Sequence, residues 1–281
     1  MIAPLPDALI EPIVRAALAE DLGRAGDITS EACIPADARF EANFAARGAG
    51  VICGADCARL ALFALDPTAR FEVIAADGSD VQPGTVVARA EANARAFLSA
   101  ERVALNLMGR MSGIATLTAA YVAETSGTAA RIIDTRKTTP LLRALEKYAV
   151  RCGGGANHRF GLDDAILIKD NHVAACGGVG PALERAKARA GHMVKIEVEV
   201  DSLDQLIEAL PYRPDVIMLD NFALDDLRRA VDLAKGQAVL EASGGVSLAT
   251  VRAIAQTGVD LISVGALTHS APNFDIGLDA A

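Results

Sequence analysis

Tryptophan is absent from this 281-residue sequence, and only 3 Tyr and 8 Phe are present. The formal net charge is −9. A chain so poor in rings and so acidic has neither the stacking platforms nor the broad basic surface of a general nucleic-acid binder, and that class is set aside. No charge-free apolar run approaches the ~18 residues of a membrane span, so no membrane partner is expected. The opening MIAPLPDALIEPIV carries acids early and no basic stretch, so no secretory leader is expected either. The five cysteines (33, 53, 57, 152 and 176) include no CxxC pair. That argues against a zinc site and for a reducing, cytoplasmic setting. No GxGxxG follows a strand signal, and neither GxxxxGK[ST] nor GxSxG occurs. Dinucleotide, P-loop and serine-hydrolase chemistries therefore lose support.

What is present is apolar aliphatic material. The chain is 52% hydrophobic, enough to build one large core or two smaller ones. Residues 8–22 have helical spacing, with Asp7 as a candidate N-cap. EDLGRAGDITS (20–30) reads as a loop. Between 38 and 90 the signal changes to short β runs around a helical piece near 55–65. The turn-rich DGSDVQPGT (77–85) predicts a hairpin-like connection. Residues 95–125 predict one or two long helices. Residues 1–105 are thus read as an α+β domain.

From 131 a different rhythm holds. Six β runs, RIIDT, AILIKD, KIEVEV, DVIMLD, AVLEAS and LISVGA, alternate with five helical ones, LLRALEKYAVR the first. Such alternation predicts a parallel sheet with helices covering it. Each β run ends in a polar or Gly motif. A doubly wound sheet gathers ligands at one switch point, whereas six strands delivering polar groups from one end fit a (β/α) barrel.

Those strand ends carry the chemistry. Between Arg131 and Arg159 there are seven Arg or Lys (131, 136, 137, 143, 147, 151 and 159) against two acids, Asp134 and Glu146. A basic island in an acidic chain points to a small polyanion. Arg136 and Lys137, following Thr135, join Arg159, Lys169 and the upstream Arg102 as candidates for binding carboxylates. His158 follows a triple glycine and is a candidate donor to an anion. Glu199 and Asp220 close successive β runs, where two carboxylates could share Mg²⁺. Ser243, Gly244 and Gly245, with Gly265 and Ala266, end the last two runs and could cradle a phosphate through backbone N–H groups.

These segments resemble the quinolinate phosphoribosyltransferase family. The likeness is carried by EDLG…GDITS, ERVALNLMGRMSGIAT, DTRKTTPLLRALEKYAVRCGGGANHR, LIKDNH, EVEVD, IMLDN, LEASGGV and GVDLISVGALTHS, in that order over nearly the whole chain. The resemblance implies an N-terminal α+β open sandwich (1–105, joined by a returning tail at 271–281) and an incomplete (β/α) barrel (106–270). It implies a homodimer with shared active sites. The reaction it implies joins quinolinate to phosphoribosyl pyrophosphate with Mg²⁺, giving nicotinate mononucleotide, pyrophosphate and CO₂ in de novo NAD synthesis. The partner subunit's Arg102, with Arg136, His158, Arg159 and Lys169, would hold the quinolinate carboxylates. Lys137 would lie between the substrates. Glu199 and Asp220 would hold the ribose hydroxyls and Mg²⁺, and Ser243–Gly245 with Gly265–Leu267 the 5′-phosphate. Three other readings stay open: a molybdenum-transport-associated relative of the same fold, a Schiff-base aldolase using Lys169, and a non-catalytic anion binder.

Overall fold

The computed structural model of the chain describes residues 2–280. Helices α1 (Asp7–Leu22) and α2 (Ile28–Cys33) precede strands β1 (Arg39–Ala46) and β2 (Gly50–Val51) and helix α3 (Ala55–Leu65). Strands β3 (Arg70–Val73), β4 (Asp80–Val81) and β5 (Val86–Asn93) lead into α4 (Ala94–Glu124). There follow β6 (Arg131–Ile133), α5 (Arg143–Cys152), β7 (Ile166–Ile168), α6 (Asp170–Cys176), α7 (Val179–Arg189), β8 (Ile196–Val200) and α8 (Leu203–Ala209). The chain continues with β9 (Val216–Asp220), α9 (Leu224–Ala234), β10 (Val239–Ser243), α10 (Val251–Ala255), β11 (Leu261–Ser263), α11 (Ala266–His269) and β12 (Ile276–Ala280). Two compact units result. One holds the residues up to Ala119, Thr138–Gly154 and those from Leu267 on; the other holds Ala120–Lys137 and Gly155–Ala266. The boundary expected at 105 falls inside α4, a single unbroken helix.

The first unit is built on an antiparallel sheet in the order β12-β1-β5-β3. Phe44 of β1 and Phe97 of α4 are fully buried. The Phe40 ring meets Phe97 edge-on at 5.1 Å, and Phe44 lies 5.8 Å from Phe71. This aromatic cluster seats α4 on the sheet. Residues 271–275 approach α4 closely: a Cβ on Gly113 would lie 2.0 Å from the Pro272 carbonyl oxygen. Arg110 of α4 donates to Glu146 Oε1 and to the carbonyls of Thr268 and Ala271. Glu146 is fully buried and also accepts the Thr139 N–H. A buried carboxylate needs such partners, and they tie 138–154 into this unit. The segment LLRALEKYAVR, expected as a helix of the parallel sheet, therefore belongs here instead. Two local expectations also change. Pro6, not Asp7, occupies the N-cap of α1, and Asp7 pairs with Arg59 at 2.7 Å. In the turn-rich 77–85 stretch, β4 pairs with β2 rather than forming a hairpin with β5.

The second unit is a six-stranded, all-parallel sheet in the order β6-β11-β10-β9-β8-β7. Its strands are short and apolar, with Ile217, Met218 and Leu219 of β9 all buried, as when both faces are covered. Amphipathic helices do the covering: α9 buries Leu227, Ala230 and Ala234 and opens with Asp225 and Asp226 at its N-terminus. The edge strands β6 and β7 do not pair with each other. Between them only Ala156 runs beside β6, donating to the Ile132 carbonyl and accepting the Asp134 N–H. The α/β unit is thus an incomplete barrel.

Candidate active site

A cavity of about 610 Å³ opens at the C-terminal ends of the parallel strands. Every one of the six strands, or the residues just after it, lines it: Arg136 after β6, Leu167 of β7, Glu199 of β8, Asp220 of β9, Ser243 of β10 and Ser263 of β11. Strands at opposite edges of a flat sheet could not share one cavity, so the sheet must curl.

Two loops bring in the cations. Asp134, fully buried at the end of β6, accepts the His158 N–H at 2.8 Å and Asn157 Nδ2 at 2.6 Å. This ties the NHR segment to the start of the Thr135-Arg136-Lys137 loop, where the Lys137 N–H donates to Thr135 Oγ1. Arg159 reaches the Ala165 carbonyl with one guanidinium nitrogen. The Nε atoms of both Arg136 and Arg159 are buried without a hydrogen-bond partner. Burial, with the Arg136 guanidinium nearby, pulls the Arg159 pKa below its usual value. A cation held in such a place, with a donor unmet, is completed by an anion.

The opposite wall is acidic. Lys169 Nζ lies 2.6 Å from Glu199 Oε2, so this cation enters the cavity already paired. Asp220 accepts from the Asn221 amide at 2.7 Å. Glu199 and Asp220 stand on adjacent strands and line the same cavity, an oxygen-only donor pair that suits a hard cation carrying water or phosphate oxygens. Beside them is the Gly244-Gly245 turn. Gly244 has φ +94°, and a Cβ there would strike Asn221 Oδ1 at 2.1 Å and its backbone nitrogen at 3.0 Å. Glycine lets the backbone of this turn run against the end of β9.

Of the residues singled out from sequence, Thr135, Arg136, Lys137, His158, Arg159, Lys169, Glu199, Asp220, Ser243, Gly244 and Gly245 line this one cavity. Gly265 and Ala266 are half-buried and are not among its lining residues. Leu267 is fully buried in the first unit, and Arg102 is an exposed residue of α4 there. The basic island divides: Arg143, Lys147 and Arg151 sit on α5 in the first unit, Lys147 only 3% exposed and Arg151 over the Tyr148 ring. Two buried acids at or beside the cavity had no role assigned from sequence. Glu241 lines the cavity, and Glu197 lies 2.9 Å from His158 Nε2. Both lie in β runs read from sequence, KIEVEV and AVLEAS, and neither spacing marks a task for them.

A curled parallel sheet with cations, carboxylates and a glycine turn at its C-terminal mouth defines an anion-handling α/β-barrel enzyme. Family models sharpen that class. Residues 27–112 match the N-terminal domain, and residues 114–279 the C-terminal domain, of quinolinate phosphoribosyl transferase. The chain belongs to this family. It is 48% identical over 271 residues to the nicotinate-nucleotide pyrophosphorylase [carboxylating] of Mycobacterium leprae, covering 95% of each chain. It is 46% identical to the probable enzyme of that name from Bacillus subtilis, covering 92% of this chain and 89% of that one. The solved nicotinate-nucleotide pyrophosphorylase of Francisella tularensis superposes with a TM-score of 0.95 at 39% identity, covering 100% and 99% of the two chains.

Proposed function

We propose that this chain transfers the phosphoribosyl group of phosphoribosyl pyrophosphate to quinolinate and releases pyrophosphate and CO₂, forming nicotinate mononucleotide for NAD synthesis. The observation that carries this reading is the pair of buried, unpartnered Nε donors of Arg136 and Arg159 in a cavity whose other wall bears Glu199 and Asp220. Quinolinate brings two carboxylates, and each guanidinium can hold one in a charge-assisted bond. Leu167 and Met218 supply apolar lining for the flat ring. Both substrates are anionic, and the cations offset their mutual repulsion.

Lys137 suits the place between the two substrates, where negative charge gathers on the departing pyrophosphate. As the C–O bond breaks, the ribose ring becomes cationic, and a nearby carboxylate, Glu199 or Asp220, favours it. The Ser243-Gly244-Gly245 turn offers backbone N–H groups to the 5′-phosphate. Once alkylated, the pyridine nitrogen is positive. The adjacent carboxylate then leaves as CO₂, because that nitrogen stabilises the ring carbanion, which takes up a proton from solvent at the same carbon. No side-chain acid or base is required for either step.

Glu199 and Asp220 would hold Mg²⁺, which supplies charge neutralisation of the pyrophosphate when bound. The working form we infer is a homodimer in which the partner subunit's Arg102 completes the carboxylate site, in a cytoplasmic setting. Among the described residues no helix is long and apolar enough to cross a membrane.

The test is direct. The protein is mixed with quinolinate, phosphoribosyl pyrophosphate and Mg²⁺, and nicotinate mononucleotide is followed, with excess chelator in a parallel run. Product only when metal is present supports the whole reading. Product undiminished in chelator removes the metal, and binding of quinolinate without pyrophosphate release makes the chain an anion binder.

A further inference from the structure

Behind the cavity's cations lies a polar cluster for which the proposed reaction has no use. Glu241 of β10 and Glu197 of β8 are 1% and 7% exposed, on strands separated by β9. Each has an Oε1 buried without a partner. Their other oxygens face His158 Nε2, at 2.9 Å from Glu197 Oε2 and 3.7 Å from Glu241 Oε2. One ligand atom from each of the three residues lies within 4.8 Å of the others.

The other ring nitrogen fixes the state of the imidazole. His158 Nδ1 accepts the Arg159 N–H at 2.7 Å. An acceptor nitrogen carries no proton, so the proton of the neutral ring is on Nε2 and points at Glu197. Both nitrogens are then committed within the protein, one to a buried acid and one to the backbone of a residue that meets substrate. Burial first, and then the neighbouring Glu197, push the Glu241 carboxyl up to about 8.

We propose that Glu241 is a positioning residue: with Glu197 it holds the tautomer and tilt of His158, and His158 in turn fixes the backbone from which the Arg159 guanidinium reaches quinolinate. The inference rests on Arg159 being a quinolinate ligand. A buried donor or acceptor left unmet at either end would let the ring turn, and the backbone bond to Arg159 would go with it.

The experiment compares Glu241→Ala and Glu241→Gln in the whole protein by quinolinate binding, steady-state kinetics and ¹⁵N NMR of the histidine rings, with His158→Gln to assign the His158 signals. A neutral amide keeps the size and hydrogen bonding of the protonated acid. The alanine variant should weaken quinolinate about tenfold or more while the KM for phosphoribosyl pyrophosphate stays within about twofold, and glutamine should restore binding to within about threefold. His158 should be neutral and protonated on Nε2 in the wild type and lose that signature in the alanine variant. Wild-type quinolinate affinity in a folded alanine variant overturns the proposal. So does a wild-type His158 protonated on Nδ1, even if the alanine variant fails to fold. Failure of the wild type to bind quinolinate at all would sink the substrate assignment, whereas the ring tautomer and its dependence on Glu241 would still be read.

Discussion

Lys169 Nζ and Glu199 Oε2 lie 2.6 Å apart, a pair that closes the gap between the end of β7 and β8 inside the cavity. Any anion that recruits Lys169 must take it from Glu199, and any cation that recruits Glu199 must release Lys169. On the proposed assignment the pair couples the two substrates' sites. Glu199→Gln should bind quinolinate as well as the wild type or better, but should bind phosphoribosyl pyrophosphate with Mg²⁺ less well. Lys169→Ala should do the reverse. Calorimetry with each ligand alone reads this out, and loss of quinolinate binding in Glu199→Gln would show that Lys169 needs its partner for placement.

Arg136→Ala and Arg159→Ala should each weaken quinolinate while leaving the fold intact. A hydrogen bond to a charged group is worth roughly 1.5–3 kcal/mol, so one lost contact predicts about a ten- to hundredfold rise in Kd. Neither Nε has a partner inside the protein to lose, but Arg159 also gives up its bond to the Ala165 carbonyl, so thermal stability should hold or rise in Arg136→Ala and fall slightly in Arg159→Ala. Unchanged quinolinate affinity in both variants would remove them from the site.

Glu241 makes a prediction about stability and pH. Its carboxyl sits at about 8 in the folded chain against an ordinary 4.5, chiefly through burial and then through Glu197. Between those values the folded state keeps a proton that the unfolded state has released. Stability therefore falls as pH rises through this window, by at most about 1.4 kcal/mol per pH unit from this group. Glu241→Gln cannot lose that proton. Its stability relative to the wild type should climb from about pH 5 to about pH 8 in denaturant melts, since only the wild type must charge a buried acid there. Parallel profiles for the two proteins would mean that Glu241 titrates normally.

The proposed dimer has its own signature. Arg102→Ala and Lys137→Ala should each be inactive alone. If Arg102 serves the partner's cavity, mixed dimers made by unfolding and reassociating the two should each regain one working site. About a quarter of wild-type activity should then appear, since half the dimers are mixed when pairing is random. Verified subunit exchange without recovery would confine Arg102 to its own chain or remove it from the site.

Much of the catalytic unit could be read from sequence because its strands advertise themselves. DVIMLD and AVLEAS pair short apolar runs with a polar end, and in a parallel sheet all such ends emerge on one side. That rule brings Arg136, Lys169, Glu199, Asp220 and Ser243 together from sequence. It failed at α5. LEKYAV has the same amphipathic spacing as a sheet-covering helix, and nothing local shows that Glu146 will be buried against Arg110, 36 residues away. Glu197 and Glu241 stood out only as polar residues of their strands, with no task marked. KIEVEV carries two acids and AVLEAS one, and only the curl of the sheet turns Glu197 and Glu241 toward His158.

One consequence of β12 concerns the order in which the protein can come into being. This strand pairs along β1, and Arg47 grips Asp279 across 232 residues of chain. On the ribosome, β1 and β5 emerge early and can pair at once. The outer edge of β1 then stays open until residues 276–280 have been made. Throughout that interval a row of unpaired backbone groups is offered to any other extended segment, including the β1 of a neighbouring nascent chain on the same message. The first sheet to be started is the last to be finished, and the protein's hazard during synthesis lies at its first long strand.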